Sequence, residues 1–291
     1  MSLHSILFNR GASKSDKKRD AAIPLPEGVV ECRNISYGSH GKWNLLDVYY
    51  PQGTNAPLPT IVSIHGGGYV YGNKEIYRRD GMDMAKRGFA FVNFNYRLAP
   101  KWKFPAPLWD TNCVMEWICR NATRYHLNPQ QIILVGDSAG AQLASQYAAI
   151  ATNPSYASLF EMVVPEITIK SLGLNCGLYD LRSQAKGKRK GLALDYLGRE
   201  IKADDPRLLV LEAVTADYPP AYITTACHDF LRDAAMPMFD YLTGKGIDAQ
   251  WKCYGSENAP EVAHVFHVNI ILEEAKRCND DSAEFFRNCL L

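Results

Sequence analysis

The chain has 291 residues, which is enough for one large α/β domain or two small ones. Hydrophobic residues make up 47% of the chain and charged residues 22%, which is the composition of an ordinary globular protein. The net charge of +1 gives no reason to expect nucleic acid or an anionic membrane as a partner, and no apolar run is long enough to form a transmembrane helix.

The first segment of the chain is polar and basic from residue 9 to residue 22, and we expect a mobile lead-in there. Residues 1–28 as a whole are predicted to contribute to a cap. The apolar stretch at 6–8 is too short for the core of a signal peptide, and the eight cysteines show no CxxC pair and no metal-like spacing. The sequence therefore predicts a cytoplasmic protein without a structural metal.

Strand-like and helix-like segments alternate along the rest of the chain. Strands are predicted at residues 29–36, 45–50, 60–65, 89–96, 131–136, 167–174, 221–226 and 249–254. Helices are predicted at residues 77–87, 106–125, 139–151, 231–242 and 269–289.

This alternation predicts a single α/β domain over residues 1–291, because apolar strands separated by helices pair in parallel and are covered on both faces. We expect a mostly parallel sheet of about eight strands, antiparallel at its N-terminal edge. Residues 177–218 fit the alternation poorly and are predicted to form a cap-like insertion over one edge of the sheet. Their basic run at 186–191 is typical of a solvated loop, although it would also suit an acidic partner.

The segment "IILVGDSAGAQLA" at residues 132–144 is the most informative part of the sequence. A buried strand, a G-x-S-x-G turn and a helix follow one another, which is the context in which this motif presents a nucleophilic serine. The pattern indicates that Ser138 is the nucleophile and that the helix starting at Ala139 directs its amide end at the reacting carbonyl. The alternative is a glycine-rich turn that happens to contain a serine.

A serine nucleophile needs a base, and the base needs an orienting acid. In α/β-hydrolases the chain order is serine, acid, histidine. Downstream of Ser138, an acid candidate, Asp229, follows the strand at 221–226, and two histidines, His264 and His267, follow the last strand. Because all three positions lie at carboxyl ends of strands, they can meet at one edge of the sheet.

Three consecutive glycines follow the strand at 60–65, in the stretch "IHGGGYVYG". Attack by a serine on an ester creates an oxyanion that needs fixed backbone donors, and glycines allow the backbone to come close. We therefore expect Gly67, Gly68 and Ala139 to form an oxyanion hole. Tyr69 and Asp137 are the residues predicted to contact the substrate, although Tyr69 would also suit packing beneath the pocket.

The motifs "HGGGY", "GDSAG", "YRLAP" and "DFLRD" together resemble those of the hormone-sensitive-lipase-like family of α/β-hydrolases, most of all its bacterial acetyl-esterase type. The resemblance spans roughly residues 40–285. It implies that Asp229, which opens the D-x-L-R-D pattern, is the acid and that Asp233 is supportive. It also favours His264, which begins His-Val-Phe where the family has His-Gly-Phe, over His267, which has no counterpart.

The function predicted from these residues is a serine carboxylic-ester hydrolase that acts through an acyl-enzyme on small, short-chain esters. The catalytic residues are predicted to be Ser138, Asp229 and His264, with no cofactor, no metal, a small-molecule ester as the substrate, and no nucleic-acid or membrane partner. The resemblance allows a homodimer. Two alternatives stay open, namely an amidase or peptidase using the same triad, and a non-catalytic small-molecule binding protein on this scaffold.

Overall fold

The computed structural model describes residues 1–187 and 190–291, so that residues 188 and 189 of the basic run lie outside the described part of the chain. Within it, eight strands form one sheet. They are β1 (Val29–Ser36), β2 (Leu45–Pro51), β3 (Leu58–Ile64), β4 (Ala90–Phe94), β5 (Leu127–Asp137), β6 (Ile169–Asn175), β7 (Ala221–Ala226) and β8 (Ala249–Tyr254).

The α-helices of the described residues lie mostly where the sequence predicts them. They are α1 (Leu3–Ala22), α2 (Arg78–Lys86), α3 (Ala106–Asn121), α4 (Ala139–Thr152), α5 (Pro154–Ser158), α6 (Gly191–Leu197), α7 (Ala235–Gly244) and α8 (Glu273–Asn288). The sequence did not predict α1, α5 or α6 as helices. None of the helices in the described part of the chain is long and apolar enough to cross a bilayer.

The strand order in the sheet is β1-β2-β4-β3-β5-β6-β7-β8. Strand β2 runs antiparallel to both of its neighbours, and every pair from β4 to β8 is parallel. The prediction of a mostly parallel sheet that is antiparallel at its N-terminal edge is therefore confirmed. Because parallel strands all end at the same edge, the loops after β3, β5, β7 and β8 converge there.

The central strands bury side chains on both faces of the sheet, since neighbouring residues of a strand point in opposite directions. Ile61 and Ile133 pack with Phe286 in a cluster formed by α2 and α8. Val62 and Leu134, their neighbours in sequence, belong to the larger cluster that contains α3 and α4. Each such side chain contributes roughly 1.5–3 kcal/mol when fully buried, which is why both faces must be covered.

The N-terminal segment is a 20-residue helix rather than the mobile lead-in expected from its polar composition. Its start is anchored by Ser2 and Ser5, whose hydroxyl groups donate to Asp195 at 2.9 and 2.6 Å. Farther along, Asp16 accepts a hydrogen bond from the Tyr71 hydroxyl at 2.8 Å. Tertiary contacts of this kind stabilise the helix. They could not be predicted from the sequence of the segment, whose apolar periodicity is weak.

The contacts with Asp195 hold α1 against the insertion at 177–218, because Asp195 lies in α6 and α6 is part of that insertion. The two segments together lie over the carboxyl edge of the sheet, where they line one cavity.

Candidate active site

The turn between β5 and α4 holds Ser138 in a strained conformation, with φ of 56° and ψ of −114°. The glycines around it are required by close backbone approach. A Cβ on Gly136 would lie 2.1 Å from the Gly140 carbonyl oxygen, and a Cβ on Gly140 would lie 2.0 Å from the Ile64 carbonyl oxygen. Strand, turn and helix thus pack at distances that only glycine permits, and the serine is lifted to the sheet edge.

The glycine loop after β3 is fixed on both sides. Gly67 has φ of +113°, and a Cβ there would lie 2.2 Å from the Tyr71 carbonyl oxygen. The Gly66 N–H donates to the Tyr77 hydroxyl at 3.0 Å. His65 is buried and stacks on Tyr96 at 4.0 Å between ring centroids, and burial lowers the pKa of His65 to about 4. The histidine of the motif is therefore a neutral packing residue that holds the loop in place.

Asp229 and His264 meet at the carboxyl ends of β7 and β8, with 2.7 Å between Asp229 Oδ1 and His264 Nδ1. The Thr225 hydroxyl and the Leu231 N–H also donate to the carboxylate, at 2.8 and 2.9 Å. Burial acts to raise the pKa of Asp229, but the His264 contact and these hydrogen bonds outweigh it and hold the pKa below its usual range. Since an ionised carboxylate only accepts, Nδ1 of His264 carries the proton and Nε2 is left as the basic nitrogen.

The loop that carries His264 has a strained residue of its own. Val265 has φ of 58°, and its N–H donates to the sulfur of Cys176 at 3.3 Å. Cys176, Asp229 and His264 offer donor atoms within 4.8 Å of one another, which is the type of set that could hold a divalent ion. Each member already has a protein partner, because Asp229 binds His264 and Cys176 accepts from Val265, so the cluster is stable as hydrogen-bonded protein.

A cavity of about 520 Å³ unites these segments at the sheet edge. Six of the predicted site residues line it, namely Gly67, Gly68, Tyr69, Ser138, Ala139 and His264. Asp229 is not among the lining residues and holds the His264 ring from behind. The structure thus brings the predicted nucleophile, base and oxyanion donors to one space, with the predicted acid in contact with the base.

The remaining walls come from apolar side chains to which sequence reasoning assigned no role. Apolar side chains of α1, of the insertion and of the loop after β7 cover the cavity, including Phe8, Leu181, Leu192, Leu197 and Phe230. They carry no motif, because any apolar side chain of similar size can line a pocket. The position of Phe8 relative to Leu192 and Leu197 depends on the docking of α1 against α6.

Tyr69 and Asp137 were both predicted to contact the substrate, but only Tyr69 lines the cavity. Tyr69 lines the cavity, stacks on Tyr196 at 3.7 Å between centroids and donates its hydroxyl proton to Gln142 at 3.0 Å. Asp137 is 2% exposed and is not among the residues that line the cavity. Its carboxylate is bound to Asn175 and other buried groups, so direct contact with a substrate is not supported.

The alternative acid and the alternative histidine lie elsewhere. The Asp233 side chain is 95% exposed and its only ion pair among the described residues is with the adjacent Arg232. His267 is buried and pairs with Asp137 rather than with Asp229.

Known proteins that are similar to this chain include esterases. A family model described as BD-FAE matches residues 46–230. The acetyl esterase of Salmonella paratyphi A is 27% identical over 284 residues, which cover 92% of this chain and 79% of that protein.

Two solved structures are similar along almost their whole length. Esterase B from Lactobacillus rhamnosis, in a structure with a C4-C4 tributyrin phosphonate, is 24% identical with a TM-score of 0.89, covering 96% of this chain and 92% of that one. An esterase from the bacterial hormone-sensitive lipase family is 22% identical with a TM-score of 0.74, covering 95% and 89%. These likenesses confirm the predicted fold.

Proposed function

Because this chain belongs to the BD-FAE family and is an esterase of the hormone-sensitive-lipase-like type, we propose that it hydrolyses small, short-chain esters through an acyl-enzyme on Ser138. The observation that carries the proposal is the shared cavity. Ser138, the His264 ring and the glycine loop line the same space, and His264 is already oriented by Asp229 at 2.7 Å.

The first half of the reaction begins when the Ser138 oxygen attacks the ester carbonyl carbon. The serine proton passes to Nε2 of His264, and the imidazolium that forms is stabilised by the ionised Asp229. The carbonyl π electrons move to oxygen and give a tetrahedral oxyanion. When this intermediate collapses, the bond to the alcohol oxygen breaks, and His264 returns the proton to the departing alcohol.

The oxyanion is stabilised by backbone N–H groups of Gly67, Gly68 and Ala139. Gly67 and Ala139 line the same cavity as Ser138 and belong to two chain segments that the paired strands β3 and β5 hold together. Because the loop is fixed by its left-handed glycine and by the Tyr77 contact, the donors need little reorganisation during the reaction.

The second half of the reaction repeats these steps with water. His264 removes a proton from water, the hydroxide attacks the acyl carbon, and the same amides hold the second oxyanion. Collapse of the intermediate breaks the bond to Ser138, which regains its proton from His264, and releases the carboxylic acid.

The cavity suits a small ester with apolar groups. Its volume of about 520 Å³ and its apolar walls favour a substrate of limited size. The names of the similar proteins, an acetyl esterase and an esterase that binds a tributyrin phosphonate, agree with short acyl chains.

The proposal is tested with p-nitrophenyl esters of increasing acyl length. We expect turnover of the acetate and butyrate esters, with lower kcat/KM for the octanoate. Ser138→Ala should lose activity while its thermal unfolding stays unchanged. In the wild type, a p-nitrophenyl ethylphosphonate should lose p-nitrophenol and add one adduct per chain at Ser138, as read by mass spectrometry of the labelled peptide. Undiminished turnover in Ser138→Ala would reject the proposal.

The same assays separate the alternatives. Faster turnover of an acetanilide than of the matched ester would favour an amidase. Tight binding of an ester without turnover and without phosphonate labelling would favour a binding protein.

A further inference from the structure

A second histidine–aspartate pair lies behind the nucleophile. Nε2 of His267 is 3.2 Å from Oδ1 of Asp137, and both side chains are almost completely buried. His267 follows His264 by three residues, and Asp137 directly precedes Ser138. The pair therefore connects the chain segment that carries the base to the chain segment that carries the nucleophile.

The Asp137 carboxylate also contacts the other segments of the site. Asn175, at the end of β6, donates to it at 2.9 Å, and the backbone carbonyl of Asn175 accepts the N–H of Ser138 at 2.8 Å. The Tyr77 hydroxyl donates to the same carboxylate and accepts the N–H of Gly66 at the start of the glycine loop. One buried carboxylate is thus shared by the serine turn, the glycine loop and the histidine loop.

The other side of the His267 ring faces a small buried space. Its Nδ1 has no hydrogen-bond partner among the described residues. The space beside it measures about 20 Å³, which is sufficient for one water molecule, and is lined by polar groups of Asp80, Asn279 and Ser282. Asn279 also donates to the His267 backbone carbonyl at 3.3 Å. The rest of this space is lined by apolar side chains, including Ile61, Phe91 and Phe286, so the imidazole has polar neighbours within an otherwise apolar interior.

The charges within this network agree with an ion pair. Burial acts to lower the pKa of His267, but the negative charge of Asp137 outweighs it and raises the pKa. Burial acts to raise the pKa of Asp137, but the positive charge of His267 and the hydrogen bonds from His267, Asn175 and Tyr77 lower it. Attraction between an imidazolium and a carboxylate in the protein interior fixes their separation more firmly than a neutral contact would.

We propose that His267 is a positioning residue: by binding Asp137, it fixes the loop that carries His264 against the turn that carries Ser138. This inference rests on the proposed function, because it assigns the distance between the base and the nucleophile to a contact outside the cavity. A small displacement of reacting groups lowers the rate of a chemical step far more than it weakens substrate binding. The effect of losing the contact should therefore appear in kcat rather than in KM.

The test compares two substitutions that differ by one methylene. His267→Gln places an amide N–H near the position of Nε2 and keeps the hydrogen bond to Asp137, whereas the shorter His267→Asn does not reach. We expect kcat on p-nitrophenyl acetate to be at least tenfold higher for the glutamine variant, with KM values of the two variants within threefold of each other. The rate of phosphonate labelling at Ser138 should show the same ratio.

A stability control comes from Tyr147→Phe, which removes a buried hydrogen bond of 2.8 Å to Asn112 on the covering helices. Its melting temperature should fall while kcat stays within twofold of the wild type. The proposal is overturned if the two His267 variants differ by less than tenfold in kcat, if they differ mainly in KM, or if kcat simply follows the melting temperature in all three variants.

If His267→Asn does not fold, Asp137→Asn tests the same contact from the other partner, because it keeps the shape of the carboxylate and removes its charge. A fall in kcat of fivefold or more at unchanged KM is then expected, and a smaller fall overturns the proposal. Failure of the proposed function looks different, since the wild-type protein would then show neither ester turnover nor labelling of Ser138.

Discussion

Two histidine–aspartate pairs share the chain segment after β8, which carries both histidines, but their aspartates lie on different segments and the two pairs are in opposite environments. The His264 side chain is 22% exposed and lines the cavity, with Asp229 behind it. The His267 side chain is 6% exposed and faces the interior, with Asp137 beside it. The residue types are the same in both pairs. Access to substrate, rather than the identity of the residues, therefore separates the pair suited to proton transfer from the pair suited to holding the backbone.

The contact distances support this division. The His264–Asp229 hydrogen bond is 2.7 Å long, and its histidine keeps Nε2 available on the cavity side. The His267–Asp137 contact uses Nε2 itself at 3.2 Å, so no basic nitrogen of His267 is directed at the cavity. Substitutions of His264 or Asp229 should therefore lower kcat by orders of magnitude more than conservative substitutions of His267 or Asp137.

The largest effect is expected from His264→Ala. Removing the base should lower kcat for p-nitrophenyl acetate by about 10³- to 10⁴-fold, because proton transfer to and from the serine is lost. Stopped-flow or steady-state assays measure the loss, and circular dichroism checks that the fold is kept. His267→Gln, made in parallel, should retain most of the activity. An equal loss in both variants would contradict the division of roles.

Asp229→Asn should come next, with kcat lower by about 10³-fold, because an amide does not fix the tautomer of His264 or stabilise its cation. Asp233→Asn is the matched control, since it makes the same chemical change four residues away on an exposed side chain. Its kcat should remain within twofold of the wild type. If Asp233→Asn lost as much activity as Asp229→Asn, the assignment of Asp229 as the catalytic acid would be wrong.

A smaller effect is expected from Gly68→Ala, with kcat lower by about tenfold to a hundredfold. Gly68 has φ of +57°, which side-chain-bearing residues rarely adopt, and an added Cβ would lie 2.7 Å from Leu192 Cδ1, so the loop is strained and the Leu192 side chain must move. Gly41→Ala is the control because Gly41 also has φ of +57° but has open space around it. That variant should lose a little stability and no activity. Full activity in Gly68→Ala would place the oxyanion donors elsewhere.

The smallest effect on activity, and a clear effect on stability, is expected from Asp80→Asn beside the buried pair. Burial, with additional repulsion from Asp137 and Asp83, raises the pKa of Asp80 to about 7, although His267 and Arg87 oppose this. The folded protein then binds a proton that the unfolded chain releases near pH 4, so the free energy of unfolding falls as the pH rises from about 4 to about 7.

Asp80→Asn removes this titration, and urea unfolding at pH 5 and pH 7.5 measures the outcome. We expect the variant to lose less stability than the wild type between these values, by about 1 to 3 kcal/mol. The same pH dependence in both proteins would show that Asp80 does not titrate in this range.

Much of the site was predictable because it depends on local geometry. A Cβ on Gly136 would lie 2.1 Å from the Gly140 carbonyl oxygen within the same strand–turn–helix unit, whereas the close contact at Gly140 is with Ile64 at the end of the neighbouring strand β3. The glycine run at Gly67 has a similar local cause. The order of Ser138, Asp229 and His264 along the chain follows from parallel strands that end at one edge. The choice of Asp229 over Asp233 needed the family resemblance.

Other features were not predictable because they depend on contacts between distant segments. The helix α1 was expected to be mobile, since its composition is polar, and it is held by Asp195 and Tyr71 far along the chain. Asp137 was expected to contact the substrate. The structure turns it into the interior, where His267 and Asn175 bind it.

The sequence by itself determined the α/β architecture and the residues able to form a nucleophile, a base, an acid and an oxyanion hole. These depend on periodicity and on backbone constraints that act over a few residues. Only the tertiary structure decided which histidine meets the cavity, which carboxylate is buried and which helices close the pocket. Those outcomes depend on burial and on long-range hydrogen bonds, and neither is defined until the strands have paired and the N-terminal helix has docked.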